Sequence, residues 1–296
     1  MSKINRRTFT TLAGATLLAP RAAAQSPEIL TRPIPSTGER LAPVGLGTAQ
    51  VFDADDGTTK QKAEAVLRAL IAGGGCLVDT ASVYGEAEVV VGDVAARGHF
   101  REKLFVATKL ETPDQAELKR SLARLQTAKL DLLQLHNVRN SQQSLSQFKE
   151  WKAQGICRYI GITSTRHADF AAVEAVLARE KPDFVQIDYS LDDREAENRI
   201  LPVAAEVNAG VLTALPFGRA RLFRAVRGKE LPEWATGFAN SWAQFFLKYL
   251  LADPRVTAVI PGTADAGHMT DNLGAMRGPL PSEAQRRQMT AFAEAL

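Results

Sequence analysis

Along the chain, short apolar runs alternate with longer segments whose apolar residues recur every three or four positions. The runs lie at 44–48, 77–79, 104–109, 130–136, 159–163, 184–188, 211–215 and 257–260, and each has the length of a strand. Between them, segments 61–72, 115–125, 144–153, 168–180 and 242–251 carry helical spacing. Eight strands alternating with helices predict the α/β class and a closed parallel (β/α)8 (TIM) barrel rather than an open sheet. An open dinucleotide-binding sheet would place G-x-G-x-x-G between a strand and a helix. Here Gly45-Leu46-Gly47 runs on into Thr48, Ala49 and Gln50, and Gly73-Gly74-Gly75 comes before a strand. Ahead of the first barrel strand, residues 31–41 predict a hairpin turning at Ser36-Thr37-Gly38-Glu39, placed to close the barrel bottom.

Three consecutive runs end on polar residues: Asp79 after Leu77-Val78, Lys109 after residues 104–108, and His136 after residues 130–135. A barrel enzyme places its chemistry at these C-terminal strand tips. A few residues beyond Asp79, a turn presents Tyr84. A tyrosine with its reference pKa of about 10 is a poor proton donor near neutrality. A buried lysine beside it would favour the phenolate, and a carboxylate on that lysine would keep it charged and oriented. Taken singly, each residue has a plain structural explanation. Together they fall on successive strand ends.

In that order, Asp79, Tyr84, Lys109 and His136 resemble the catalytic tetrad of the aldo-keto reductases. The D-T-A-x-x-Y-G stretch at Asp79–Gly85, the A-T-K ending at Lys109 and L-x-x-L-H-N at Leu132–Asn137 carry the likeness, which extends from about Leu30 to the C-terminus. The resemblance implies reduction of aldehydes or ketones with NADPH or NADH, with Tyr84 as the acid. It assigns the nicotinamide carboxamide to Thr163, Ser164 and Gln186. Other cofactor contacts fall on Gly47, Thr48, Pro216, Gly218, Gly262, Thr263, His268, Asp271 and Asn272. Five positions depart from the family pattern. Ser164 stands for the usual asparagine, and Ala214 for the aromatic that stacks on nicotinamide. Gly262 and His268 stand where cations commonly grip the 2′-phosphate, and Ala49 replaces a frequent tryptophan, which widens the pocket. Arg219, Arg221 and Arg224 either reach the pyrophosphate or form a solvated loop.

The 296 residues suit one barrel, which typically needs about 250. The first 24 are expected to be a leader. Arg6-Arg7-Thr8-Phe9, a modest apolar run to Leu18 and Ala22-Ala23-Ala24 match a twin-arginine signal cleaved after Ala24, leaving residues 25–296 as a periplasmic or otherwise exported barrel. The apolar run falls short of the roughly 20 residues that span a bilayer, so no membrane anchor is expected after cleavage. The twin-arginine export machinery is thus an expected partner. Because the leader holds Lys3, Arg6, Arg7 and Arg21 and no acid, its loss takes the formal charge from +3 to −1, and nothing suggests a nucleic-acid surface.

Cys76 and Cys157 start non-neighbouring strands and are expected as small buried hydrophobes. The four histidines are scattered, with no H-E-x-x-H, so no metal is expected, and no G-x-S-x-G suggests a serine hydrolase. Export leaves a second reading open. Free nicotinamide nucleotide is expected to be scarce outside the cytoplasm, and a nucleotide-binding barrel acting as a redox sensor or structural partner would also suit these residues.

Overall fold

The computed structural model describes residues 29–296, so the expected leader at 1–24 lies outside the described residues. Strands β1 (Arg32–Pro33) and β2 (Arg40–Leu41) form the expected antiparallel hairpin. The barrel strands follow: β3 (Leu46–Gly47), β4 (Leu77–Asp79), β5 (Phe105–Leu110), β6 (Leu130–Leu135), β7 (Cys157–Ser164), β8 (Phe184–Asp188), β9 (Gly210–Ala214) and β10 (Val256–Val259). All eight are parallel and neighbour one another in sequence order. The ends of the sheet meet through parallel bridges Val44–Val259 and Gly47–Gly262, and the Gly47 N–H donates to Pro261 O at 3.0 Å. A Cβ on Gly47 would stand 3.2 Å from Ile260 Cγ2, so glycine permits this seam.

Helices form the outer layer, and several start on side-chain caps. Asp56, Asp114, Ser241, Asp265 and Ser282 each accept a backbone N–H at the first turn of the helices Gly57–Ala72, Gln115–Arg124, Trp242–Leu251, Ala266–Leu273 and Glu283–Glu294. At the last of these, Gln285 completes a capping box with Ser282. The structure adds helices that the apolar spacing does not single out. In Ala87–Arg97, seven residues are buried, so the one-sided pattern is faint.

Strand periodicity sorts the core into two layers. Leu77, Phe105, Leu132, Tyr159, Phe184, Leu212 and Ile260 point inward, together with Ile34 and Leu41 of the hairpin. Val78, Val106, Leu133, Ile162, Val185 and Val211 point outward to the helices. Inside, the Phe105, Tyr159 and Phe184 rings stack or meet edge-on with centroids 5.6–6.2 Å apart. The Tyr159 hydroxyl donates to Glu39 Oε2 at 2.6 Å, which ties the hairpin under the barrel. The bottom is therefore plugged, and inward-facing polar residues lie toward the strand C-termini. Cys157 begins β7 and Cys76 precedes β4, and both are free thiols. Among the described residues no helix is long and apolar enough to cross a membrane.

Candidate active site

Continuing the inward phase of Leu77, Phe105 and Leu132 toward the C-terminal tips brings Asp79, Lys109 and Gln134 to the inner wall. The Lys109 ammonium, 1% exposed, donates to Asp79 Oδ2 at 2.6 Å and to the Thr80 carbonyl at 2.8 Å. Asp79 Oδ1 accepts from Gln134 Nε2 at 3.3 Å. Burial alone would push Lys109 down. The charges of Asp79 and Tyr84 and their hydrogen bonds outweigh it, so the lysine stays above its ordinary value and is charged.

Tyr84 comes to this cation by a turn. Its N–H donates to Ala81 O at 3.1 Å, and the next residue, Gly85, has φ of 52°, a left-handed conformation that suits glycine. A side chain there would also stand 3.1 Å from Asp53 O. The turn is fastened from outside: Ser82 N–H donates to Lys109 O at 3.0 Å, Ser82 Oγ to Glu117 Oε1 at 2.5 Å, and Arg124 to Ser82 O at 3.2 Å. Tyr84 thus holds its ring with the centroid 4.9 Å from Lys109 Nζ.

His136, the first residue past β6, meets Tyr84 edge-on, with ring centroids 5.7 Å apart. Burial, then the charges of Lys109 and Arg139, push the imidazole down to about 3. It is therefore neutral at physiological pH. Its Nδ1 is buried without a hydrogen-bond partner, 3.7 Å from a Glu111 carboxylate oxygen. All four expected catalytic residues therefore meet at one end of the barrel.

The remaining site residues lie around the same rim, but many of their polar groups already have protein partners. Thr48 Oγ1 donates to Asp79 O at 3.1 Å and steadies that strand end. Thr163 Oγ1 accepts from the Asn137 N–H at 3.0 Å, and Ser164 Oγ donates to Asp169 at 3.1 Å. Gln186, 3% exposed, lies on the inner wall beside Thr163. Pro216 and Gly218 follow β9, and a Cβ on Gly218 would stand 2.6 Å from Asp192 Oδ1. Gly262 is exposed at the seam. Thr263 accepts from the Asp265 N–H at 3.1 Å, Asp271 from Gln244 at 2.8 Å, and Asn272 is buried. Exposed His268 offers its side chain, while its N–H is taken by Asp265 at 2.9 Å.

Gln134, Thr80 and Glu111 complete the surroundings of the four central residues and are not among those singled out by sequence. Gln134 carried a signal: it is a lone amide inside an apolar run, two residues before His136. A cleft of about 610 Å³ lies at the opposite end, lined by Glu39, Arg101, Asp131 and Arg158 among others, and these charges pair with one another. Among the described residues no group of three or more His, Cys, Asp or Glu side chains is placed to hold a metal ion.

The family model described as "Aldo/keto reductase family" matches residues 43–292. This chain belongs to the aldo/keto reductase family. Among relatives, the reductase is 29% identical over 254 residues to the methylglyoxal reductase YeaE of Escherichia coli K12, covering 82% of this chain and 88% of that one. It is also 29% identical over 279 residues to an uncharacterized oxidoreductase, YqkF, of Bacillus subtilis, covering 79% and 87%. Among solved structures, an aldo/keto reductase of Klebsiella pneumoniae in complex with NADP and acetate is 25% identical with a TM-score of 0.71, covering 86% and 93%. Another from the same organism, in complex with NADPH, has a TM-score of 0.74 at 24% identity, covering 90% and 95%, and supports the fold.

Proposed function

We propose that this reductase converts an aldehyde or ketone to the alcohol with NADPH or NADH, with Tyr84 donating the proton. The observation that carries the reading is the buried Asp79–Lys109 pair, 2.6 Å apart, with its ammonium 4.9 Å from the Tyr84 ring centroid. Across the strand ends from this pair, Asp188 at the tip of β8 keeps a buried Oδ1 without a protein partner, which suits a polar ligand. Gln186, Asn272 and the turn at Gly218 are the groups that would hold a nicotinamide nucleotide. When bound, the reduced nucleotide supplies hydride to the carbonyl carbon.

The chain's own residues do the rest. As negative charge develops on the carbonyl oxygen, Tyr84 Oη–H donates its proton to it. The fixed charge of Lys109 lowers the cost of the phenolate left behind. Asp79 holds Lys109 charged and aimed. Neutral His136 hydrogen-bonds the carbonyl oxygen and sets its angle. The name of the E. coli relative makes small dicarbonyls the first substrates to test, and the pocket widened at Ala49 would also admit larger carbonyls. Incubating purified protein with NADH or NADPH and methylglyoxal, then following nucleotide oxidation, tests the reading. Oxidation that needs the carbonyl supports it. Tight nucleotide binding without turnover on any aldehyde or ketone would instead favour the sensor or scaffold reading.

Export through the twin-arginine route is part of the same proposal and rests on Arg6-Arg7 and Ala22-Ala23-Ala24. Intact mass and fractionation test it: the protein outside the cytoplasm should begin at Gln25. An uncleaved chain confined to the cytoplasm, unaffected by Arg6→Lys with Arg7→Lys, would exclude export.

A further inference from the structure

Asp188 ends β8 and has no part in the chemistry above. Phe184 points into the barrel core, so strand alternation carries Gln186 and then Asp188 up the same inner wall. Asp188 pairs in register with Ala214 of β9, which presents only a methyl group there. One carboxylate oxygen, Oδ1, is buried and has no hydrogen-bond partner. The cations nearest to it are engaged elsewhere or turned outward. His167 lies against Asp193 at 2.9 Å and Glu195 at 3.4 Å, Arg221 binds Asp192 at 2.9 Å, and Arg219 sits on an exposed left-handed turn. Burial, then the charge of Asp193, lifts the Asp188 carboxyl to about 6 against the pull of Arg219, His167 and Arg221. A buried acceptor without a donor weakens a fold, and native proteins rarely keep one without a use.

We propose that Asp188 reads the ligand: its inward oxygen accepts a hydrogen bond from an N–H or O–H group of a molecule bound in the mouth, above Gln186 and beside Ala214. This rests on the reading of the site as a nicotinamide-dependent reductase. The donor is an amide or hydroxyl of the nucleotide, or a hydroxyl of the carbonyl substrate. The gap at Ala214 leaves room for either to come within reach of the carboxylate.

The test compares the parent, Asp188→Ala and Asp188→Asn at pH 7.5. NADH and NADPH are titrated without carbonyl, and KM is then measured for acetaldehyde and its hydroxylated counterpart glycolaldehyde. A nucleotide donor predicts a Kd raised about 10-fold or more in the alanine variant, with partial recovery in asparagine, which keeps an acceptor oxygen. A substrate donor predicts unchanged Kd, a KM for glycolaldehyde raised about 10-fold, and acetaldehyde unmoved. In both cases the ligand-free asparagine variant should melt above the parent, because it removes a buried charge. If the parent binds and turns over while neither variant shifts Kd or KM, the assignment of Asp188 is overturned. A melting temperature below the parent's in the asparagine variant overturns it too, since the acid would then be structural. A parent that binds neither nucleotide removes the reductase reading, and this assignment with it.

Discussion

At the tips of β4, β5 and β6 the polar side chains face one another; at the tips of β7 to β10 many face back into the protein. Asp79, Lys109 and Gln134 form a buried chain of contacts at 2.6 and 3.3 Å, with Tyr84 and His136 against it. Across the barrel, Ser164 donates to Asp169, Thr263 accepts from Asp265, and Asp271 accepts from Gln244. The difference follows from what each half has to do. Under the proposed function, proton transfer demands fixed geometry over a few ångströms, which a first half built as one unit would supply. Grip on a long nucleotide would be shared among many contacts, so the proposed function asks less of any single position such as Ala214, Gly262 or His268.

Breaking the tight half should have the largest effect. Lys109→Met leaves Asp79 buried with only Gln134 and should lower kcat by roughly 10³-fold, within the range for losing positioned acid–base chemistry. It should also cost about 3–5 kcal/mol of stability, read by urea unfolding, because half of a buried ion pair remains. Unchanged kcat in a folded variant would separate the pair from catalysis. Next, His136→Gln should lower kcat by about 10²-fold, as expected for removing one oxyanion donor.

His136 also gives a pH signature. Its folded pKa of about 3 lies below the usual 6.5, so between these values the unfolded chain binds the extra proton. The parent therefore loses stability as pH falls from 6.5 toward about 3, and the His136→Gln variant should lose less over that window. Parallel stability curves for the two proteins would contradict the burial of the imidazole.

The loose half should respond least. The Asp265 carboxylate, held low by the His268 N–H, sits at the helix start where a 2′-phosphate would need a cation. The parent should therefore bind NADH and NADPH with affinities within about 10-fold of each other. Gly262→Lys should improve NADPH alone, by roughly 10-fold, the scale of one charge-assisted hydrogen bond. Equal gains for both nucleotides would show that the added cation does not reach the phosphate.

The tight half was largely legible in the sequence because an apolar run ending in one polar residue marks a strand tip, and three such runs lay in succession. Its supporting contacts were less so. Gln134 looks like part of the β6 alternation until the barrel curvature brings it to Asp79. In the other half the residues could be located, but their partners could not. That Ser164 turns to Asp169, or that Asp188 keeps an unpartnered oxygen, depends on side-chain placement that no periodicity reports. The eight strands were readable as runs, while β3 keeps only Leu46–Gly47 as regular strand because the seam is made by single bridges on either side.

The central claim is that Tyr84, poised by Lys109, delivers the proton. Its most direct test is Tyr84→Phe, assayed by nucleotide titration and by carbonyl-dependent oxidation of NADH and NADPH. The predicted result is unchanged nucleotide affinity with kcat lower by about 10²–10⁴-fold. Equal turnover by the two proteins would contradict the assignment and move the proton donor elsewhere in the mouth.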